Sequence, residues 1–166
     1  MRAGRSLWTA CHEPHNVEAR RDMSLASLFG GLALANAKLG AVHGLAGVLG
    51  GMFRAAHGAI CARLLPYVME ANVDALRRRA AGSQMLRRYD EVAQILTGRA
   101  TAGAAEGVGW VQALCESLKV QSLGDLGLKK EDFTAVAEKS QHSSSIKGNP
   151  IPLTFEELMW ILQASL

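Results

Sequence analysis

Two histidines carry most of the chemistry legible in this sequence. His43 and His57 lie fourteen residues apart in the stretch Gly40 to Gly58, GAVHGLAGVLGGMFRAAHG. An imidazole among small apolar residues costs free energy unless its nitrogens find partners. Neutral imidazole nitrogen is a ligand for zinc or ferrous iron. If one helix ends just after His43 and another starts near His57, both rings face one crevice and share a metal. The alternative is two helix-terminus histidines held by backbone carbonyls, and two ligands at this spacing do not by themselves separate the readings.

Other chemistry-bearing patterns are weaker. Cys11, His12 and His15 make a CHxxH cluster, but Pro14 interrupts it and no distant ligand pair answers it. The three cysteines, Cys11, Cys61 and Cys115, form no CxxC pair, and an odd count at irregular spacing fits a reducing, cytoplasmic compartment. Cys61 and Cys115 lie in apolar helical sequence and read as small core residues. The run Gly47 to Met52 is glycine-rich, but it joins helix to helix with no preceding strand, so it is no phosphate cradle. HExxH, GxSxG, GxxxxGK[ST] and GxGxxG patterns do not occur. The basic clusters Arg77-Arg78-Arg79 and Arg87-Arg88 lack interleaved aromatics and read as a solvated helix face, not a nucleic-acid site.

The stretch from Ala35 to Leu76 resembles the metal-binding signature of the iron-containing (group III) alcohol dehydrogenases. That pattern has a His, a glycine-containing turn, a Pro-His-Gly step, then Leu-Leu-Pro and Met-x-x-Asn. His43, His57-Gly58, Leu64-Leu65-Pro66 and Met69 to Asn72 stand at the matching places. Lys147-Gly148-Asn149-Pro150 resembles the family's Gly-Asn-Pro loop. There are two local departures. Gly47 stands where many members carry a further His near the substrate and nicotinamide, which leaves a proton-relay role without its residue. Ala56 replaces the Pro before the second His.

The resemblance implies an all-α fold, an irregular multi-helix bundle like the family's C-terminal domain. It implies a divalent metal, iron or zinc, with His43 and His57 as half of its ligands, and NAD(P) as the hydride carrier. It also implies that Ser145 and Lys147, in the loop SQHSSSIKGNP, border the active-site cleft, where they would meet substrate or a phosphate; the other reading is a flexible surface loop. Family members carry an N-terminal dinucleotide-binding domain with a Gly-Gly-Gly-Ser loop, and an Asp and a His that complete the metal site. This sequence resembles the helical half only. The isolated chain is therefore expected to be inactive in alcohol or aldehyde hydride transfer. A complementing N-terminal chain or a homo-oligomer is the expected partner. The alternatives are a non-catalytic helical interaction module and a small His-based metal-binding protein.

The elements that must position these residues read as helices. The chain has 166 residues, 49% apolar and 20% charged, with four prolines and 5% aromatics, a globular composition rich in helix formers. A net charge of +3 is too small to argue for nucleic acid. Residues 1–10 are too short and polar for a signal peptide. The fifteen uncharged residues from Met23 to Ala37 fall short of the roughly 20 that a membrane span needs.

Residues 1–16 are poorly patterned, and 17–166 are expected to form the helical metal-binding domain. Asn16 caps a helix predicted from Val17 to about Ala46, apolar all round in its second half and hence buried. Gly47 to Ala56 is the predicted turn. A second helix runs to about Leu76, kinked at Pro66, with Asn72 and Asp74 beginning its polar end. Further helices are predicted over 84–96, closed by Gly98, from Thr101 to Leu118, over 131–139, and from a Thr154/Glu157 capping box to Leu166.

Overall fold

The computed structural model describes residues 2–166. Among them are eight α-helices and no strand: α1 (Arg2–His12), α2 (Val17–Asn36), α3 (Ala41–Met52), α4 (His57–Arg79), α5 (Gln84–Thr97), α6 (Ala104–Ser117), α7 (Phe133–Gln141) and α8 (Phe155–Ser165). The all-α expectation holds. The chain divides into two compact units, one ending at Ala37 and the other spanning Lys38–Leu166. That boundary differs from the expected one at 16/17.

The first unit is a helical hairpin. Residues 2–12 form α1, where little pattern was expected, because Asp22 on α2 gathers them. Its carboxylate accepts from the Ser6 hydroxyl at 2.7 Å and from the guanidinium groups of Arg2 and Arg5. Asn16 caps α2 as expected, accepting from Ala19 N at 3.1 Å. The second half of α2 is not buried: Leu28, Phe29, Leu32 and Leu34 are each more than half exposed.

The second unit is built around α4. Ile60, Leu64, Val68, Ala71 and Ala75 recur at helical spacing and form one buried stripe. Leu45 and Leu49 of α3, Val136 of α7, and Leu158, Ile161 and Leu162 of α8 close on it. Fully burying each such Leu or Ile stabilises by about 1.5–3 kcal/mol. α4 runs through Pro66 without a break, so the predicted kink does not end it. Asn72 was expected to begin a polar end, but it is 2% exposed and hydrogen-bonded.

Two further boundaries differ from expectation. The helix predicted to run to Ala46 stops at Asn36, whose side chain turns back onto Leu32 O, and α3 starts afresh at Ala41. The predicted turn 47–56 is helical as far as Met52, and residues 53–56 make the connection. Gly47, Gly50 and Gly51 lie on the exposed face of α3. Their helix cost, about 1 kcal/mol each relative to Ala, is offset by burial of Leu45 and Leu49.

α5 and α6 pack as a close pair. A methyl group on Gly107 would lie 2.8 Å from Ala93 Cβ, so a glycine lets the helices approach. Gly98 ends α5 with φ of 70°, the left-handed cap. α6 begins after Gly103, not at Thr101, because Asp90 of α5 accepts from Ala104 N at 2.8 Å. Among the described residues no single helix is long and apolar enough to cross a membrane.

Candidate metal centre

His43 stands in the first turn of α3 and His57 opens α4. From His43 to Met52 the helix rises about 14 Å at about 1.5 Å per residue. The connection 53–56 is extended at both ends, with ψ of 147° at Phe53 and 126° at Ala56. At up to about 3.5 Å per residue it spans that rise and returns the chain to the level of His43. The two imidazole rings meet with centroids 5.6 Å apart and planes tilted by 49°. The two rings are thus neighbours, brought together by a longer helix and a shorter return than the sequence suggested.

A third donor joins them. Cys61, one turn after His57 on α4, places Sγ 3.4 Å from His57 Nε2. One donor atom from each of His43, His57 and Cys61 lies within 4.8 Å of the others. Among the described residues this is the one group of three histidine, cysteine or carboxylate donors so arranged. Two imidazole nitrogens and a sulfur are donors that zinc, cobalt and iron accept, so the side chains fit a transition metal better than calcium or magnesium. Burial pushes the Cys61 thiol up. Cys61, expected in the core, is only half-buried; its i, i+4 spacing from His57 is the sequence signal that puts both on one helix face.

His43 and Cys61 line a groove of about 370 Å³ with Val42, Leu65, Val68, Asn72, Tyr89 and Asn149. Its walls are mostly apolar, and its polar floor is one network. Asn149 Nδ2 donates to Asn72 Oδ1 at 2.6 Å and to Ile151 O at 2.7 Å. Asn149 Oδ1 accepts from Ala41 N at 3.0 Å, taking the cap position that Gly40 cannot fill. Asn72 Nδ2 donates to the Tyr89 hydroxyl at 3.0 Å, and burial raises the Tyr89 phenol.

The other candidates lie elsewhere. Ser145 and Lys147 fall in a 3-10 turn, Ser144–Gly148. Neither lines the groove of His43; Lys147 borders a different cleft, with Gln141, Ile146 and Leu153. From that loop it is Asn149 and Pro150 that reach the groove. Cys11, His12 and His15 are exposed and make no ligand cluster; His12 stacks on Trp8 at 4.2 Å.

Comparison with known proteins identifies the family of the chain. The family model described as Fe-containing alcohol dehydrogenase family, C-terminal, matches residues 3–166. "Alcohol dehydrogenase 4" of Saccharomyces cerevisiae is 33% identical over 159 residues, 95% of this chain and 40% of that protein. "1,3-propanediol dehydrogenase" of Klebsiella pneumoniae is 35% identical over 148 residues, 88% of this chain and 37% of that protein. Among solved structures, an alcohol dehydrogenase from Oenococcus oeni superposes with a TM-score of 0.84 at 34% identity, covering 99% of this chain and 42% of that one. The chain thus spans about 40% of the length of the curated relatives it matches. It belongs to the Fe-containing alcohol dehydrogenase family, and corresponds to that family's C-terminal domain.

Proposed function

We propose that this chain is the metal-holding half of an NAD(P)-linked alcohol or aldehyde oxidoreductase. The observation that carries the reading is the meeting of His43, which lines an apolar groove, with His57, ring centroids 5.6 Å apart, in a chain of this family. The chemistry supplied by the bound groups is Lewis acidity toward a substrate oxygen from a divalent ion, iron or zinc, and hydride exchange from a nicotinamide. His43 and His57 hold the ion from one wall. Val42, Leu65 and Val68 give the groove an apolar lining, and Asn72, Tyr89 and Asn149 orient a polar substrate group within it.

The chain covers only 40% of the yeast relative it matches. Catalysis in this reading needs a dinucleotide-binding polypeptide besides residues 2–166. The exposed apolar residues Leu28, Phe29, Leu32 and Leu34 support a covering partner, either that polypeptide or a second copy. Three free thiols support a cytoplasmic location.

The test is metal binding by the purified chain. Anaerobic dialysis against ferrous or zinc ion is expected to leave about one equivalent bound, lost in His43→Ala and His57→Ala; undiminished metal in both variants overturns the reading. Assayed with NADH or NADPH and a panel of aldehydes, the chain alone is expected to be inactive. Metal-dependent turnover would show that it is more than half a site.

A further inference from the structure

The geometry points to Cys61 as a third, direct metal ligand, so that this chain by itself forms a His43–His57–Cys61 site for Zn²⁺ or Co²⁺. The inference rests on the reading of His43 and His57 as ligands. It adds a charge and a preference that two imidazoles lack.

Distances decide the matter first. Zinc takes nitrogen at about 2.0–2.1 Å and sulfur at about 2.3 Å, so a tetrahedral ion sets the two donors about 3.6 Å apart. Cys61 Sγ and His57 Nε2 are 3.4 Å apart. They already stand at coordination spacing, fixed by one turn of α4. The widest separation in the trio is no more than 4.8 Å. His57 is exposed and His43 and Cys61 are only half-buried, so their side chains can turn to close that gap without moving either helix.

Charge and softness come next. Two neutral imidazoles leave a dication uncompensated, whereas a thiolate cancels one of its charges. On binding, the S–H bond breaks, the sulfur lone pair goes to the ion and the proton leaves to buffer. Thiolate selects zinc or cobalt over harder ions. Three protein donors would match the number of protein ligands in catalytic zinc sites. The competing account of the 3.4 Å contact is a thiol–imidazole hydrogen bond that no cation replaces.

The test is anaerobic titration of the full chain with Co²⁺. One equivalent is expected to bind, with tetrahedral visible bands and a near-ultraviolet thiolate-to-cobalt charge-transfer band. The band is expected to persist in the double variant Cys11→Ser/Cys115→Ser and to vanish in Cys61→Ser and Cys61→Ala. Removing even an outer partner of a metal ligand costs about 10–100-fold in affinity, so Zn²⁺ affinity should fall by about 100-fold or more in both Cys61 variants. Circular dichroism checks that they fold. Visible bands without charge transfer in the wild-type chain, or a charge-transfer band that survives Cys61→Ser, overturn the role of Cys61 and leave the histidine pair standing. Absence of bound cobalt overturns both.

Discussion

The thiol of Cys115, on α6, donates to the carbonyl oxygen of Ala62, on α4, at 3.5 Å. Ala62 is the residue four before Pro66, so its carbonyl is the one that proline leaves without a helical N–H. Burial pushes the Cys115 thiol up, so it keeps the proton it donates at neutral pH. A neighbouring helix thus repairs the gap that Pro66 makes, and α4 stays continuous past Cys61. Cys115→Ala is expected to lower stability by about 1 kcal/mol, the scale of leaving one buried acceptor unmet. In a Pro66→Ala background the new N–H takes that carbonyl, and the cost of Cys115→Ala should shrink. Urea unfolding of the two single variants and the double variant measures this; strictly additive losses would show that the residues are not coupled.

Asn149 ties the start of α3 to α4. Through Oδ1 it holds Ala41 N at 3.0 Å, two residues before His43. Asn149→Ala should therefore lower Zn²⁺ affinity by about 10–100-fold, as loss of a supporting partner does, with about 1 kcal/mol of lost capping stability. Asn149→Asp keeps the acceptor for Ala41 N but sets a carboxylate oxygen against Asn72 Oδ1. It should fall between alanine and wild type in metal affinity. Wild-type affinity in Asn149→Ala would remove the positioning role.

What was legible in the sequence was local. The Asn16 cap, the left-handed Gly98 and the Thr154–Glu157 capping box depend on neighbours three or four residues away, and each is present. What was not legible depended on partners far along the chain. The break before Ala41 exists because its N–H finds Asn149, 108 residues on. α1 forms because Asp22 lies across from Arg5 and Ser6. His43 and His57 were legible as neighbours because they flank one predicted return of the chain, although His57 is exposed and pays no burial cost. Cys61 was not, because a thiol is equally at home as a small apolar residue.

Two glycines should respond with opposite signs. A Cβ on Gly148 would lie 2.0 Å from Leu39 O and 2.5 Å from Lys38 Cβ. Both neighbours are pinned by the start of α3, so Gly148→Ala must push the 144–148 turn away from it, costing about 1–3 kcal/mol. A Cβ on Gly47 meets nothing within 4 Å. Gly47→Ala removes the helix penalty of glycine and should stabilise by about 0.5–1 kcal/mol. Thermal unfolding checks both; a loss on Gly47→Ala would mean that the face of α3 it occupies is covered in solution.

Acid should loosen the α1–α2 hairpin through one carboxylate. The Ser6 hydroxyl and then the Arg5 guanidinium hold Asp22 well below the ordinary carboxylate value of 3.8. A lowered folded-state value means that the ion contributes stability in full above that ordinary value. The contribution declines as pH falls below it toward the folded value, because the unfolded chain takes up the proton first. Once Asp22 is protonated, Arg2 and Arg5 lose their anionic partner, and α1 loses what gathers it. Asp22→Asn should expose α1 amides to faster hydrogen exchange at neutral pH and remove this part of the acid dependence. Measured by exchange along α1 as pH is lowered, the wild-type chain is expected to converge on the variant only in acid. If the two differ by the same factor at every pH, the carboxylate charge is not what holds the hairpin.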